Sequence, residues 1–412
     1  MERSSFIKNS ILGIGVLLGG LTYTSGFAAT SSFKITKIRY CAALDYNKPF
    51  FNQARGIVEI ETGGGIGEGG SKDMVEQCAQ MIIGEGPFRI EYLWQYMYRT
   101  IFYPPGLEKL HALGAIEMSL WDIRGKALNI PVYELMGRAT RDYVACYATG
   151  FRASKATIPE GQFVDCLKAG LCCLRIGPSG GNSPNEPYDF HQNMQKTIDL
   201  YESIDSAVGG QGNWAIDLHT RFGLIDEIKV CTAIKDLQPF FVEDTIRSEN
   251  QAVYKEVIAM TKVPIDVGGQ YRDKWDINEL IERRLLDYAR VTLLNSRGLT
   301  ELKKIAALSE TQYTGMIPYF TGPLSTASLV YVFGSSSPSR GMMESGGGAP
   351  EMPAYFKDDY KLYKEGKLYL NPDPGLGVKF NPKKADFVME VFERTKFPHP
   401  YLKSPDGAIH GW

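Results

Sequence analysis

The sequence predicts an α/β protein, a closed β/α barrel joined to an α+β unit, on three observations. From residue 144 onward, apolar strand-like runs alternate with helical segments at near-even spacing, as βαβ units around a parallel sheet do. Residues 33–137 instead place strand-like runs first and helical periodicity after them, the order of an α+β unit. The chain's 412 residues, 44% of them hydrophobic, supply core for two or three domains or for one large barrel with an addition.

In the first unit, 33–40 and 56–61 read as strands, the second leading into a glycine-rich turn at 63–70. Helical periodicity follows at 74–83, 90–102 and 111–128. In the second, strands are expected at 144–148, 172–176, 214–218, 240–243, 263–267, 289–294 and 314–318. Helices are expected between them at 159–169, 190–203, 224–237, 251–261, 276–286 and 299–311. Seven such units in a row favour a closed barrel over an open sheet, and a barrel carries its reactive groups at the C-terminal ends of its strands. Those ends read Gly150, Arg175, Asp217 with His219, Glu243, Gly269, Asn295 and Tyr319. The Gly/Ser/Pro-rich stretch 334–353 reads as an exposed connection, after which 375–378 and 406–412 return to ordered, aromatic-containing sequence.

Composition removes other classes. Lys and Arg total 45 against 47 Asp and Glu, a formal charge of −2, so the chain has no electrostatic footprint for nucleic acid. The seven cysteines (41, 78, 146, 166, 172, 173 and 231) are odd in number and lack metal-ligand spacing. Cys146, Cys172 and Cys173 lie in apolar runs and read as small buried hydrophobes.

The first residues stand apart. Arg3 and Lys8 precede an apolar run at 11–23, and Ser25, Gly26, Ala28 and Ala29 supply small residues. That is a signal peptide, 1–28, with export to the periplasm expected. Residues 3–8 also resemble a twin-arginine signal with Ser4 in place of the second arginine. The apolar run falls short of the roughly 20 residues that span a bilayer, so no stable membrane insertion is expected after its removal.

Ser119–Leu128 (SLWDIRGKAL) followed by Pro131–Gly137 (PVYELMG) resembles the helix joining cap to barrel in the enolase superfamily, most closely in its mandelate racemase subgroup. Val263-Pro264-Ile265, the run LTELKKIA from Leu299, Gly322-Pro323 and Pro374–Gly377 (PGLG) are similar to words found in that subgroup in the same order. The resemblance covers nearly all of the chain after the signal segment. It implies a modified (β/α)7β TIM-type barrel with an α+β cap: cap 29–140, barrel 141–335, and 336–412 completing both.

The family chemistry so implied is proton abstraction beside a substrate carboxylate, with magnesium on three carboxylates stabilising the enediolate. By the resemblance, Asp217 and Glu243 match the first two metal ligands, while Gly269 stands where the third, a glutamate, is usual. Asn295 and Tyr319 match the places of an Asp–His acid/base dyad, and Arg175 that of a lysine base. His219 matches the acid of the family's sugar-acid dehydratases.

Period-two alternation would set Asp217, His219 and Arg221 on one strand face. Two carboxylates alone would hold Mg2+ weakly. Arg175 and Arg221 are candidates to neutralise them instead, and, with Asn295, to hydrogen-bond a substrate carboxylate. His219 and Tyr319 are the expected proton-transfer pair. His111, His191, His399 and His410 read as structural or exposed.

Three functions fit: a sugar-acid dehydratase-like lyase with an altered site, a metal-independent eliminating or isomerising enzyme, and an inactive pseudoenzyme that binds a sugar acid. The partner in each is a small carboxylate, with homo-oligomers common in the resembling family. Substrate choice is expected from loops 43–55 and 92–105, with Tyr46, Phe50, Phe51, Tyr96, Tyr98 and Tyr103 walling off solvent.

Overall fold

The computed structural model describes residues 33–43, 56–100, 103, 106–151, 160–171, 173–178, 187–210, 212–319, 322–336, 341–346, 353–357, 362–395 and 403–410. The expected signal peptide, Tyr46, Phe50, Phe51, Cys172 and His399 lie outside these residues.

The cap sheet joins β1 (Ile38–Ala42), β2 (Gly56–Ile60) and β3 (Gly65–Glu68) to a strand from the far end of the chain, Asp386–Val391. The late strand lies at one edge, followed by β1, β2 and β3, antiparallel throughout, with Ile38 opposite Val391 and Ala42 opposite Asp386. Alternate residues Ile38, Tyr40, Val58 and Ile60 point to one face. They pack there on α1 (Lys72–Ile82), α2 (Ile90–Arg99) and α3 (Leu107–Leu128) through Val75, Trp94, Leu113 and Ile116. Helix α3 has no single apolar stripe because it is buried nearly all round, between the cap sheet and the barrel. It stops where Asn129 turns left-handed (φ 55°) and caps the last carbonyls. A short turn of helix, α4 (Val132–Leu135), leads into the barrel.

The barrel strands are β4 (Tyr143–Phe151), β5 (Cys173–Ile176), β6 (Asn213–Asp217), β7 (Val242–Glu243), β8 (Ile265–Val267), β9 (Tyr288–Ala289), β10 (Gly315–Met316) and β11 (Met343–Ser345). Between them run α5 (Glu160–Lys168), α6 (Phe190–Val208), α7 (Leu224–Ile234), α8 (Tyr254–Met260), α9 (Lys274–Glu282), α10 (Leu299–Thr311) and α11 (Pro323–Gly334). Parallel ladders run from β4 to β10; β11 pairs in parallel with β4, and a parallel bridge from Met316 to Gly341 closes the circle. The described residues therefore form eight parallel strands and seven intervening helices, a (β/α)7β barrel.

Residues 334–353 were expected to be an exposed connection, yet Met343–Ser345 is the eighth strand and is buried. Three residues flanked by glycine and serine are too few to show an alternation. The ladders at β9 and β10 are also shorter than the apolar runs at 289–294 and 314–318.

Tyr147, Cys173, Ala215, Phe241, Tyr288, Ile317 and Met342 fill the barrel interior as a layer of their own. Tyr147 meets the edge of Phe241 at 5.6 Å between ring centroids, so the lower barrel is a packed core and not a channel. No helix among the described residues is long and apolar enough to cross a membrane.

Cap and barrel are tied by buried carboxylates. Glu117 of α3 accepts the N–H groups of Leu299 (2.9 Å) and Thr300 (3.0 Å) at the start of α10. Glu68 at the end of β3 accepts the Ser325 N–H (2.7 Å) at the start of α11. Asp122 accepts from Ile66 (3.0 Å) and Leu376 (2.8 Å), with Lys126 Nζ at 2.7 Å. Each glutamate satisfies orphan donors of a helix N-terminus and faces its positive end. Glycine is required beside both. A Cβ at Gly298 would fall 2.2 Å from Glu117 Oε2, and its φ of 108° is left-handed. One at Gly322 would fall 2.1 Å from Glu68 Oε1.

Candidate active site at the barrel mouth

The strand register brings the charged side chains together. Asp217 is paired in register with Glu243, and Glu243 with Asp266, so three carboxylates stand on adjacent rungs of β6, β7 and β8. Arg175 comes from β5, and Glu344 from β11 across the barrel.

Arg175 is the hub. Its Nη1 lies 3.0 Å from Asp217 Oδ2 and 2.5 Å from Glu243 Oε1. Its Nη2 reaches Glu344 Oε1 (3.0 Å) and Thr149 Oγ1 (2.5 Å), and its Nε reaches Thr149 Oγ1 (3.1 Å). A guanidinium has five N–H bonds, and these five contacts engage all of them. The expected grip of Arg175 on a substrate carboxylate therefore finds no donor left.

A second guanidinium, Arg290, lies deeper. Its Nε is 2.6 Å from Glu243 Oε1, and its Nη2 is 2.6 Å from Glu344 Oε2. Its Nη1 donates to the Tyr147 hydroxyl at 2.7 Å, joining the mouth to the aromatic layer below. Arg290 takes the neutralising part expected of Arg221. Arg221 itself follows the next turn, its N–H on the Leu218 carbonyl (3.1 Å) and its charge acting on Tyr188 and Tyr201.

These cations divide the carboxylates into two kinds. Burial opposes the ionisation of Asp217, but Arg175 and the His219 hydrogen bond outweigh it and hold the carboxyl down to about 2. Burial is likewise outweighed at Glu344 by Arg175 and Arg290, which lower it. Burial raises Glu243 to about 8 and Asp244 to about 6, with the charge on Asp217 adding to both. Asp266 is raised by burial too, and neither of its oxygens has a hydrogen-bond partner among the described residues. Two guanidiniums thus face two firmly ionised carboxylates, and the interior of the mouth is close to charge balance.

His219 is brought in differently from what alternation suggests. The strand ends at Asp217, and both His219 (φ 51°) and Thr220 (φ 53°) are left-handed. Thr220 N–H donates to the Asp244 carbonyl at 2.7 Å, which fixes the reversal. Asp217, His219 and Arg221 therefore share no strand face. The turn instead folds His219 back over its neighbour. Its N–H donates to Asp217 Oδ1 (2.8 Å), and its Nδ1 sits 3.2 Å from Asp217 Oδ2. With 66% of its side chain exposed, the ring stands in the mouth. Its pKa is raised, first by the Asp217 hydrogen bond and then by that residue's charge.

On the opposite rim, Tyr319 donates its hydroxyl to the Gly269 carbonyl (3.1 Å) and accepts from Asn295 Nδ2 (3.2 Å). Asn295 Nδ2 also donates to the Gly269 carbonyl at 3.1 Å. Asn295 Oδ1 lies 2.7 Å from His111 Nε2, which fixes the amide's orientation from the cap. Arg290 sits over the Tyr319 ring with its Cζ 4.8 Å from the centroid.

Four residues of this site lie outside the sequence expectations. Arg290 had a signal, an arginine inside the apolar run Ala289–Leu294, a residue type rarely buried without partners. Asp244 adjoins Glu243, and its left-handed backbone (φ 45°) lets a second acidic neighbour turn toward the same space. Asp217, Glu243 and Asp244 each place an oxygen within 4.8 Å of the others. His111, expected to be structural or exposed and remote from strand ends, is delivered by α3. Glu344 had no signal. Tyr98, expected to screen the mouth, stacks on Trp275 and covers Arg297 instead. Tyr96 is buried in the cap core.

Residues 53–137 match the mandelate racemase / muconate lactonizing enzyme N-terminal domain family, and residues 141–384 match the enolase C-terminal domain-like family. A D-mannonate dehydratase of Caulobacter sp. (strain K31) is 30% identical over 357 residues, covering 80% of this chain and 86% of that one. Among solved structures, an enolase described as a putative galactarate dehydratase from Agrobacterium radiobacter, with bound Na and L-malate, has a TM-score of 0.75. It is 25% identical, over 91% of this chain and 99% of the other. An enolase from Pantoea ananatis with bound D-gluconate and Mg has a TM-score of 0.74 and 24% identity, over 85% of this chain and 93% of the other.

Proposed function

The chain belongs to the mandelate racemase / muconate lactonizing enzyme family of enolase-like proteins, and we propose that it is a carbon–oxygen lyase that removes water from a sugar acid at the barrel mouth. The observation that carries this reading is His219, exposed in the mouth and held by both its backbone and its ring on the ionised Asp217. A histidine oriented in this way and biased toward its protonated form is suited to give a proton to a leaving hydroxyl. The resemblance to dehydratases named for mannonate and galactarate supports a polyhydroxy carboxylate as the substrate class.

In the proposed reaction the Tyr319 oxygen, as phenolate, takes the proton from the carbon beside the carboxylate, and the C–H electron pair passes into an enediolate. That pair then expels the hydroxyl of the next carbon, which leaves as water with the His219 proton. The enol so formed tautomerises to a 2-keto-3-deoxy acid. Tyr319 is the proposed group on the second rim, its oxygen facing the Asn295 amide where negative charge would develop. The charge balance of the mouth lets an anionic acid approach without meeting a wall of carboxylates.

Magnesium, which the family chemistry implies, does not fit the residues as they stand. Asp217, Glu243 and Asp244 cluster closely enough to hold an ion, but the cation lying between Asp217 and Glu243 is the Arg175 guanidinium.

A panel of aldonates and aldarates, including D-mannonate, galactarate and D-gluconate, assayed for 2-keto-3-deoxy products, tests the proposal. Turnover of one of them, lost in His219→Ala, is the expected result. Turnover of none by folded protein would overturn the reading and leave a protein that only binds such acids. Export remains our proposal from residues 1–28, and a mature chain beginning near Ala29 or Thr30 in the native host would support it. An intact Met1 would contradict it.

A further inference from the structure

We propose that Arg175 is the resident cation of this barrel mouth, occupying the position between Asp217 and Glu243 in which a divalent metal would sit, so that the protein binds no structural or catalytic magnesium. The geometry is that of a bridging cation: one nitrogen, Nη1, lies within hydrogen-bond reach of both carboxylates at once. The remaining donors are tied to Glu344 and Thr149, so the guanidinium is fixed from three sides.

Arginine stays protonated at every pH at which the fold persists, which makes it a permanent positive charge in place of an exchangeable one. For a metal to enter, this guanidinium would have to leave. It would give up its buried partners and shed charge-assisted hydrogen bonds that a poorly hydrated interior does not replace. Arg290 strengthens the exclusion, because Glu243 Oε1 accepts from it as well at 2.6 Å.

Position 269 supplies an independent observation. Gly269 offers no ligand, and the space a side chain would start in is tight. A Cβ there would lie 3.0 Å from Asp244 Oδ2, so a carboxylate introduced at 269 would begin against another. The mouth therefore has no carboxylate at 269 and holds an internal cation, and adding the first does not remove the second.

The inference stands apart from the lyase reading, because its readouts are metal content and thermal stability. Purified full-length protein is dialysed against Mg2+ or Mn2+, its bound metal is counted, and its Tm is followed across a metal titration. The native protein is expected to retain only sub-stoichiometric metal with a flat Tm. Arg175→Ala, with its carboxylates left unbalanced, is expected to gain saturable binding at least about tenfold tighter and a Tm that rises with metal. Gly269→Glu alone is expected to gain nothing, while Arg175→Ala/Gly269→Glu should bind more tightly than Arg175→Ala. One equivalent of metal on native protein, abolished by Asp217→Asn, would overturn the proposal even if Arg175→Ala failed to fold. A folded Arg175→Ala that still ignored metal would overturn it as well.

Discussion

At the seam between cap and barrel, Glu68 and Glu117 are completely buried and meet the backbone N–H groups of two helix N-termini. At the mouth, Asp217 and Glu344 are nearly as buried and meet guanidiniums instead. The partners differ in kind, and so does the result. Helix N-termini carry partial charges, and against full burial they leave both seam glutamates raised to about 7. Arg175 carries a full charge and, with His219, holds Asp217 down to about 2. The seam is thus a neutral or near-neutral joint, whereas the mouth keeps firm ionic charge next to an exposed histidine. Burial of an acid alone does not mark a reactive site; the sum of the charges around it does, for Glu243 meets the same guanidiniums and is still raised, because the Asp217 charge adds to its burial.

The largest effect that would sharpen this contrast is catalytic. His219→Ala and Tyr319→Phe should each lower kcat/KM for the accepted sugar acid by roughly 10²-fold or more, the usual worth of a positioned acid or base. Full activity in both would end the assignment of proton transfer to this pair. The seam glutamates should leave the chemistry alone and cost stability. Glu117→Ala strips two helix N–H groups of their acceptor and the Trp121 indole of one of its two, a loss of about 2–4 kcal/mol in urea unfolding. Glu117→Gln keeps an acceptor and should cost clearly less, so equal losses would contradict the capping account.

pH separates the two regions further. The seam glutamates have folded values near 7, above the roughly 4.3 of an unfolded glutamate, so the folded state holds more protons. Their contribution should therefore make the protein less stable as pH rises from about 4.3 toward 7. Asp217 works the other way: its depressed value adds stability above about 3.9, lost as pH falls toward 2. Urea midpoints across this range should show the neutral-side decline flattened in Glu68→Gln/Glu117→Gln and the acid-side loss unaltered. In the smallest effect, the alkaline limb of kcat should lie above about 6.5, the ordinary value for histidine, because Asp217 raises His219.

The sequence made the barrel legible because βαβ units repeat. The repeat puts Arg175, Asp217, Glu243, Gly269, Asn295 and Tyr319 at strand ends, where the mouth is found. What it hid was supplied across long separations. His111 arrives from the cap, Glu344 from a three-residue strand with no alternation, and Arg290 from inside an apolar run. The left-handed turn at His219 and Thr220 was hidden for another reason, since threonine disfavours such a backbone and the enrichment of histidine there is too small to announce it. Gly322 was legible as part of a family word, and Gly298 was not, standing just before the word that begins at Leu299. Their physical cause, a glutamate from the cap pressed against each, needed the fold.

Turnover by metal-stripped protein tests the central claim most directly. Protein treated with a chelator and freed of it should dehydrate its sugar acid at the same rate as untreated protein, with no gain on adding magnesium, because Arg175 already supplies the charge between Asp217 and Glu243. A rate abolished by the chelator and restored by magnesium would contradict the account and return Asp217 and Glu243 to the role of metal ligands.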